Sequence, residues 1–147
     1  MKEKKQSANW NIAATHYLTS GLAMPFLVAL VLGIPTFLLI GKDDALLVVI
    51  ANSALWFLGI WLGVRYSAKY LAKTYIVNDS NKVIKLATIY AAVLGGLFRI
   101  NKMDKGISLE MAVDFILFVG IVIAFYLFSK KYVHNTPAEE IQPTPVQ

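Results

Sequence analysis

Two uncharged apolar runs, Leu22 to Ile40 and Ala45 to Val64, constrain this chain more than any other feature; only Gly41-Lys42-Asp43-Asp44 separates them. In a helix rising about 1.5 Å per residue, about 20 such residues cross the roughly 30 Å of hydrocarbon in a bilayer. Inside lipid every backbone polar group must find a partner within the chain, so runs of this length become helices. The polar break between them turns the second helix back beside the first.

Two later segments fit the same role less cleanly. Val83 to Ile100 is apolar apart from Lys85 and Arg99, whose long side chains can snorkel from either end. Leu109 to Phe128 carries Glu110 and Asp114 in its first two turns. The expected fold is therefore all-α: an integral membrane bundle of four transmembrane helices, spans 22–40, 45–64, 83–100 and 109–128. Composition agrees, since 57% of the 147 residues are hydrophobic and 16% charged, against about 25% charged in an average soluble domain. The absence of cysteine excludes a disulfide-stapled secreted domain and a cysteine-ligated metal centre.

Lys and Arg set the orientation. With the N-terminus inside, the cytoplasmic set is Lys2, Lys4, Lys5, Arg65, Lys69, Lys73, Lys82, Lys85, Lys130 and Lys131, ten of the 14 basic residues. Lys42, Arg99, Lys102 and Lys105 make the outer four. The expectation is a protein of the cell (inner) membrane with both termini cytoplasmic. The polar lead before Leu22 is too long for a signal-peptide n-region and no small-x-small site follows the run, so the first span reads as retained.

Within the arm 1–21, Trp10, Ala13, Ala14, Tyr17 and Leu18 recur at helical spacing, while Asn11, Thr15 and His16 fall on other faces. This predicts a short interfacial amphipathic helix, capped by Ser7 or Asn9 and ended by Thr19-Ser20-Gly21. The tail, 130–147, is expected to be disordered and cytoplasmic; from Asn135 on it holds Pro137, Pro143, Pro145, Glu139 and Glu140 and almost nothing to bury.

Spanning helices associate through small residues that let backbones approach. The second helix offers Gly59 and Gly63, with Asn52 and Trp56 on the same face; the third offers Ala87, Ala91 and Gly95. The expected contact joins these two faces, within one subunit or between subunits. Pro35 should kink the first helix near Gly33. Beyond Val64, Arg65, Lys69 and Lys73 form a basic stripe flanked by Tyr66 and Tyr70. Beside a span, that pattern fits anionic lipid headgroups better than nucleic acid.

Ionisable groups inside spans are costly and each needs a reason. Arg99 ends the third span, and Glu110 and Asp114 share one face at the start of the fourth, so the hairpin brings them together; Asn52 lies about two turns in from the same surface. Either Arg99 and Asp114 form a pair that fixes register, or Asp114, Glu110, Arg99 and Asn52 form a cation, proton or solute site near the outer face. Enzymatic signals are poor. His16 and His134 lie far apart with no metal-ligand spacing, no catalytic residue is named, and neither a metal nor a cofactor is implied. The first expectation is a non-catalytic membrane protein that acts in assembly, as a homo-oligomer or an accessory subunit of a larger complex. The second is a homo-oligomeric channel or carrier for a small ion or solute.

Overall fold

The computed structural model describes residues 4–40, 44–100 and 108–137. Four helices carry the fold: α1 (Asn9–Ile40), α2 (Ala45–Thr74), α3 (Ser80–Ile100) and α4 (Leu109–Tyr132). Two short strands, β1 (Lys5–Gln6) and β2 (Tyr75–Ile76), accompany them. All four helices are long and apolar enough to cross a membrane, which makes the chain a multi-pass membrane protein. Side-chain caps open three of them: the Asp44 carboxylate accepts from Leu47 N, Asp79 from Lys82 N and the Ser108 hydroxyl from Met111 N.

The lead does not form a separate helix. Asn9 begins α1 behind Ala8, with no side-chain cap from Ser7 or Asn9, and the helix runs through Thr19-Ser20-Gly21 without ending. Leu18–Ala23 and Ala29–Gly33 wind as wider π turns, each just ahead of a proline. The rings of Pro25 and Pro35 would collide with the carbonyls of Gly21 and Val31, four residues back, and a widened turn relieves that collision. Thr19 and Ser20 donate their hydroxyls to the carbonyls of Thr15 and His16, so these presumed stop signals are absorbed by the helix. Ile12, Ala13, His16 and Tyr17 are buried against the other helices rather than lying at a surface.

The helices form a ring in the order α1, α2, α4, α3, with α2 and α3 on one diagonal. The expected α2–α3 contact is therefore replaced by two others. Gly59 and Gly63 receive α1: a Cβ on Gly59 would stand 2.4 Å from Pro25 Cα, and one on Gly63 2.7 Å from Ser20 Cα. Gly95 receives α4, where a Cβ would stand 2.5 Å from the Phe118 ring. Ala87 is buried in the cluster that holds Ile12, Ala13 and Tyr17 of α1.

One end of the ring is tied by main-chain pairing. β1 lies parallel to β2, in the register Lys5 to Tyr75 and Gln6 to Ile76. Thr136 N donates to Val77 O at 2.9 Å, Val77 N donates to Thr136 Oγ1 at 2.8 Å, and Ser80 N donates to Asn135 Oδ1 at 2.6 Å. The start of α1, the α2–α3 link and the end of α4 thus share this strand end, as two hairpins require. The expected disorder of 130–147 is corrected over its first part: Lys130–Tyr132 are helical, Val133 is buried, and Asn135 and Thr136 are docked. Residues 138–147, and the loop residues Lys42, Asp43, Lys102 and Lys105, lie outside the described residues.

Candidate functional site

The opposite end, which we call the Arg99 end, holds the four residues singled out as a site. Arg99 sits in the last turn of α3 and Asp114 in the second turn of α4. Arg99 Nη2 donates to Asp114 Oδ1 at 3.3 Å, and Nε lies 2.9 Å from Oδ2 as an ionic contact without hydrogen-bond alignment. The rest of the guanidinium is held by both helices: Nη1 donates to Gly95 O of α3 at 3.3 Å, and the guanidinium carbon stands 4.3 Å from the centroid of the Phe118 ring on α4. That stacking needs Gly95, since any side chain there would occupy the space of the ring. With side chains 24% and 25% exposed, the pair is largely shielded by the protein, where charges attract more strongly than in bulk solvent.

Two cavities flank this pair. The first, of about 340 Å³, lies inside the ring of helices, above a floor of Tyr17, Ile60 and Phe125, and its walls carry Asn52, Trp56, Phe98, Arg99, Asp114 and Phe118. The second, of about 420 Å³, is built from the outermost turns, with Phe37, Val48, Val49, Asn52, Arg99, Glu110, Met111, Asp114 and Phe115. Asn52, Arg99 and Asp114 line both. The structure thus brings all four expected residues to one place, with Glu110 on the outer cavity only. Among the described residues, the outer cavity and the pair hold two carboxylates against one guanidinium, a formal excess of negative charge.

Of the small residues, Ala91 and Gly95 line the inner cavity, whereas Gly59, Gly63 and Ala87 are consumed in packing. Arg65, Lys69 and Lys73 are exposed along the part of α2 near the strand end. Arg65 is held over Trp61 at 5.0 Å and Tyr132 at 5.8 Å, measured to the ring centroids.

A second polar cluster was not foreseen. His16, Ser67 and Ser129, each fully buried, join α1, α2 and α4: Nδ1 of His16 stands 2.9 Å from Ser67 Oγ and Nε2 2.9 Å from Ser129 Oγ. A neutral imidazole donates from one nitrogen and accepts at the other, so both ring positions are satisfied. Phe125 packs against the ring at 5.5 Å and separates it from the inner cavity. With no exposed atom and no carboxylate in the cluster, a substrate has no approach; the geometry is that of a clasp. The only hint in the sequence is that His16 and Ser20 stand one turn apart on the face of Ile12 and Ala13, because the partners lie 51 and 113 residues away. Among the described residues no group of three His, Asp or Glu is placed to hold a metal ion.

No family model, no curated protein and no solved structure matches this chain.

Proposed function

We propose that this multi-pass protein binds a small solute in the chamber at its Arg99 end and conducts or carries it, without catalysis. The observation that carries the reading is the sharing of Asn52, Arg99 and Asp114 by two cavities on either side of one ion pair. A partition made of an asparagine and a reversible pair can rearrange around a polar solute, and ionisable groups in a span commonly mark such a path. The cell membrane is its proposed location, with both termini cytoplasmic: Lys4, Lys5, Arg65, Lys69, Lys73, Lys82, Lys85, Lys130 and Lys131 gather toward the strand end, which the positive-inside rule places in the cytoplasm. Arg65, Lys69 and Lys73 would face anionic headgroups there.

The absence of cysteine supplies the test. In membranes, Asn52→Cys should react with a water-soluble cationic thiol reagent, while Ile89→Cys and Leu127→Cys, on the lipid-exposed faces of α3 and α4, should not. An unreactive Asn52→Cys would mean a dry packing void and would end the reading. Cysteines at Asn81 and Ala45 should label from the cytoplasmic and outer sides respectively.

An assembly or accessory role, as a homo-oligomer or within a larger complex, is the second reading. Of the packing residues behind it, Gly59, Gly63 and Ala87 are occupied by α1 and Gly95 by α4. It keeps Gly96 and Gly120, where an added Cβ would meet nothing within 4 Å, so that a further helix could approach closely. Copurification of a stoichiometric foreign subunit after mild solubilisation, together with an unreactive Asn52→Cys, would favour it.

A further inference from the structure

We propose that the solute is a lipophilic cation that enters the inner chamber sideways from the bilayer, between α1 and α3. The inference rests on the chamber reading above and names the class of molecule the chamber would take.

The side door follows from how α1 meets its neighbours. Over Asn9–Tyr17 it packs along α3, but from Leu18 onward it leans on α2. Its departure leaves Leu22 and Phe98 on the rim of the inner cavity, 45% and 74% exposed. A rim of leucine and phenylalanine at membrane depth faces acyl chains, so what passes it must be soluble in lipid.

The sign of the charge follows from the groups beyond the rim. Arg99 is engaged on three sides, by Asp114, by the Gly95 carbonyl and by the face of Phe118, which leaves little of its field for an incoming anion. Asp114 and Glu110 together exceed it by one negative charge. Trp56 and Tyr17 bring electron-rich aromatic rings, which can stabilise a desolvated cation, to the chamber wall. An organic cation therefore finds aromatic walls first and a carboxylate at the partition, whereas an anion of the same shape meets repulsion.

Tetraphenylphosphonium and tetraphenylborate share one shell of four phenyl groups and differ in charge, so they isolate this claim. In equilibrium dialysis against the purified protein in a neutral detergent, the phosphonium should bind saturably, about tenfold or more tighter than the borate. Glu110→Gln, which breaks no ion pair seen in the structure, should weaken the phosphonium about threefold to tenfold. Ala91→Leu, which fills the inner chamber, should remove binding of either ion. Borate binding as tight as phosphonium binding, or phosphonium affinity indifferent to Glu110→Gln, would overturn the cation assignment while leaving a solute chamber in place. If neither ion binds but Asn52→Cys remains reactive, the lipophilic class fails alone; if Asn52→Cys is also unreactive, the chamber reading fails with it. For the route, a bis-maleimide bridge between Leu22→Cys and Phe98→Cys should slow phosphonium association without changing its equilibrium affinity. An unchanged association rate would overturn lateral entry.

Discussion

The strand end and the Arg99 end are built from the same four helices and solve different problems. Toward the strand end, α1 presents Ile12, Ala13, His16 and Tyr17, α2 presents Gly59, Ile60, Gly63, Val64, Ser67, Ala68 and Leu71, α3 presents Val83, Ile84 and Ala87, and α4 presents Phe125 and Ser129, all buried. In the other half the described helices bury only Gly33, Ser53 and Leu55. Small residues close the first half until backbones touch. Large aromatics and an ion pair hold the second half apart around two cavities. Close packing carries the stability of a bundle in lipid, where no hydrophobic force drives helices together. The tight half therefore permits the loose half to exist.

The comparison breaks most visibly at two glycines whose crowding looks alike on paper. At Gly59 an added Cβ would meet Pro25 Cα at 2.4 Å, and at Gly95 it would meet the end of the Phe118 ring at 2.5 Å. Proline backbone in the middle of a packed helix pair has nowhere to go, while Phe118 borders a cavity of about 340 Å³ into which its ring can turn. Gly59→Ala should cost about 3 kcal/mol or more, as severe overpacking does. Gly95→Ala should cost less than about 1 kcal/mol, part of it returned by alanine's better helix propensity, while lowering solute binding. Unfolding in mixed micelles by a denaturing detergent reads both; equal costs would erase the distinction between the halves.

Polar clusters sharpen it next. Replacing His16 by leucine takes the partner from the Ser67 and Ser129 hydroxyls, both fully buried, and about 2 kcal/mol of stability should be lost. Asp114→Asn keeps a hydrogen-bond acceptor for Arg99 at a site open to one quarter of its surface. It should therefore leave the protein folded and inserted, with a loss near 1 kcal/mol or below, yet abolish binding of a cationic solute. Loss of folding in step with binding would instead assign Arg99 and Asp114 to register alone.

The four long apolar helices, and the gathering of the four polar residues at one end of them, were legible because both depend on counting. An apolar run of sufficient length has one outcome in lipid, and Asn52, Arg99, Glu110 and Asp114 all lie within about two turns of the helix ends that meet at the Arg99 end. Neighbour identity was not legible. A stripe such as Gly59 and Gly63 announces close approach without naming the approaching helix, and the α1 residues that complete the contact, Ser20 and Pro25, stand five apart and mark no repeat of their own. The His16 clasp was hidden for a related reason, since two serines in distant helices have no spacing to read. Thr19-Ser20-Gly21 misled because hydroxyls that would end a helix in water can return to its own carbonyls in a bundle.

The most local of the predicted effects concerns the tie that holds the tight half closed. Thr136 accepts from Val77 N through its hydroxyl and donates its own N–H to Val77 O, so Thr136→Ala removes one of two bonds and leaves a partly buried amide unpaired. The cost should be about 0.5–1.5 kcal/mol. Amide exchange should quicken first at Val77 and Ser80, whose partners lie on the docked segment, while exchange at Gly95 and Asp114 stays unchanged. Faster exchange at the Arg99 end would mean that the two halves open together, and that the chamber's shape is set from the far end of the bundle.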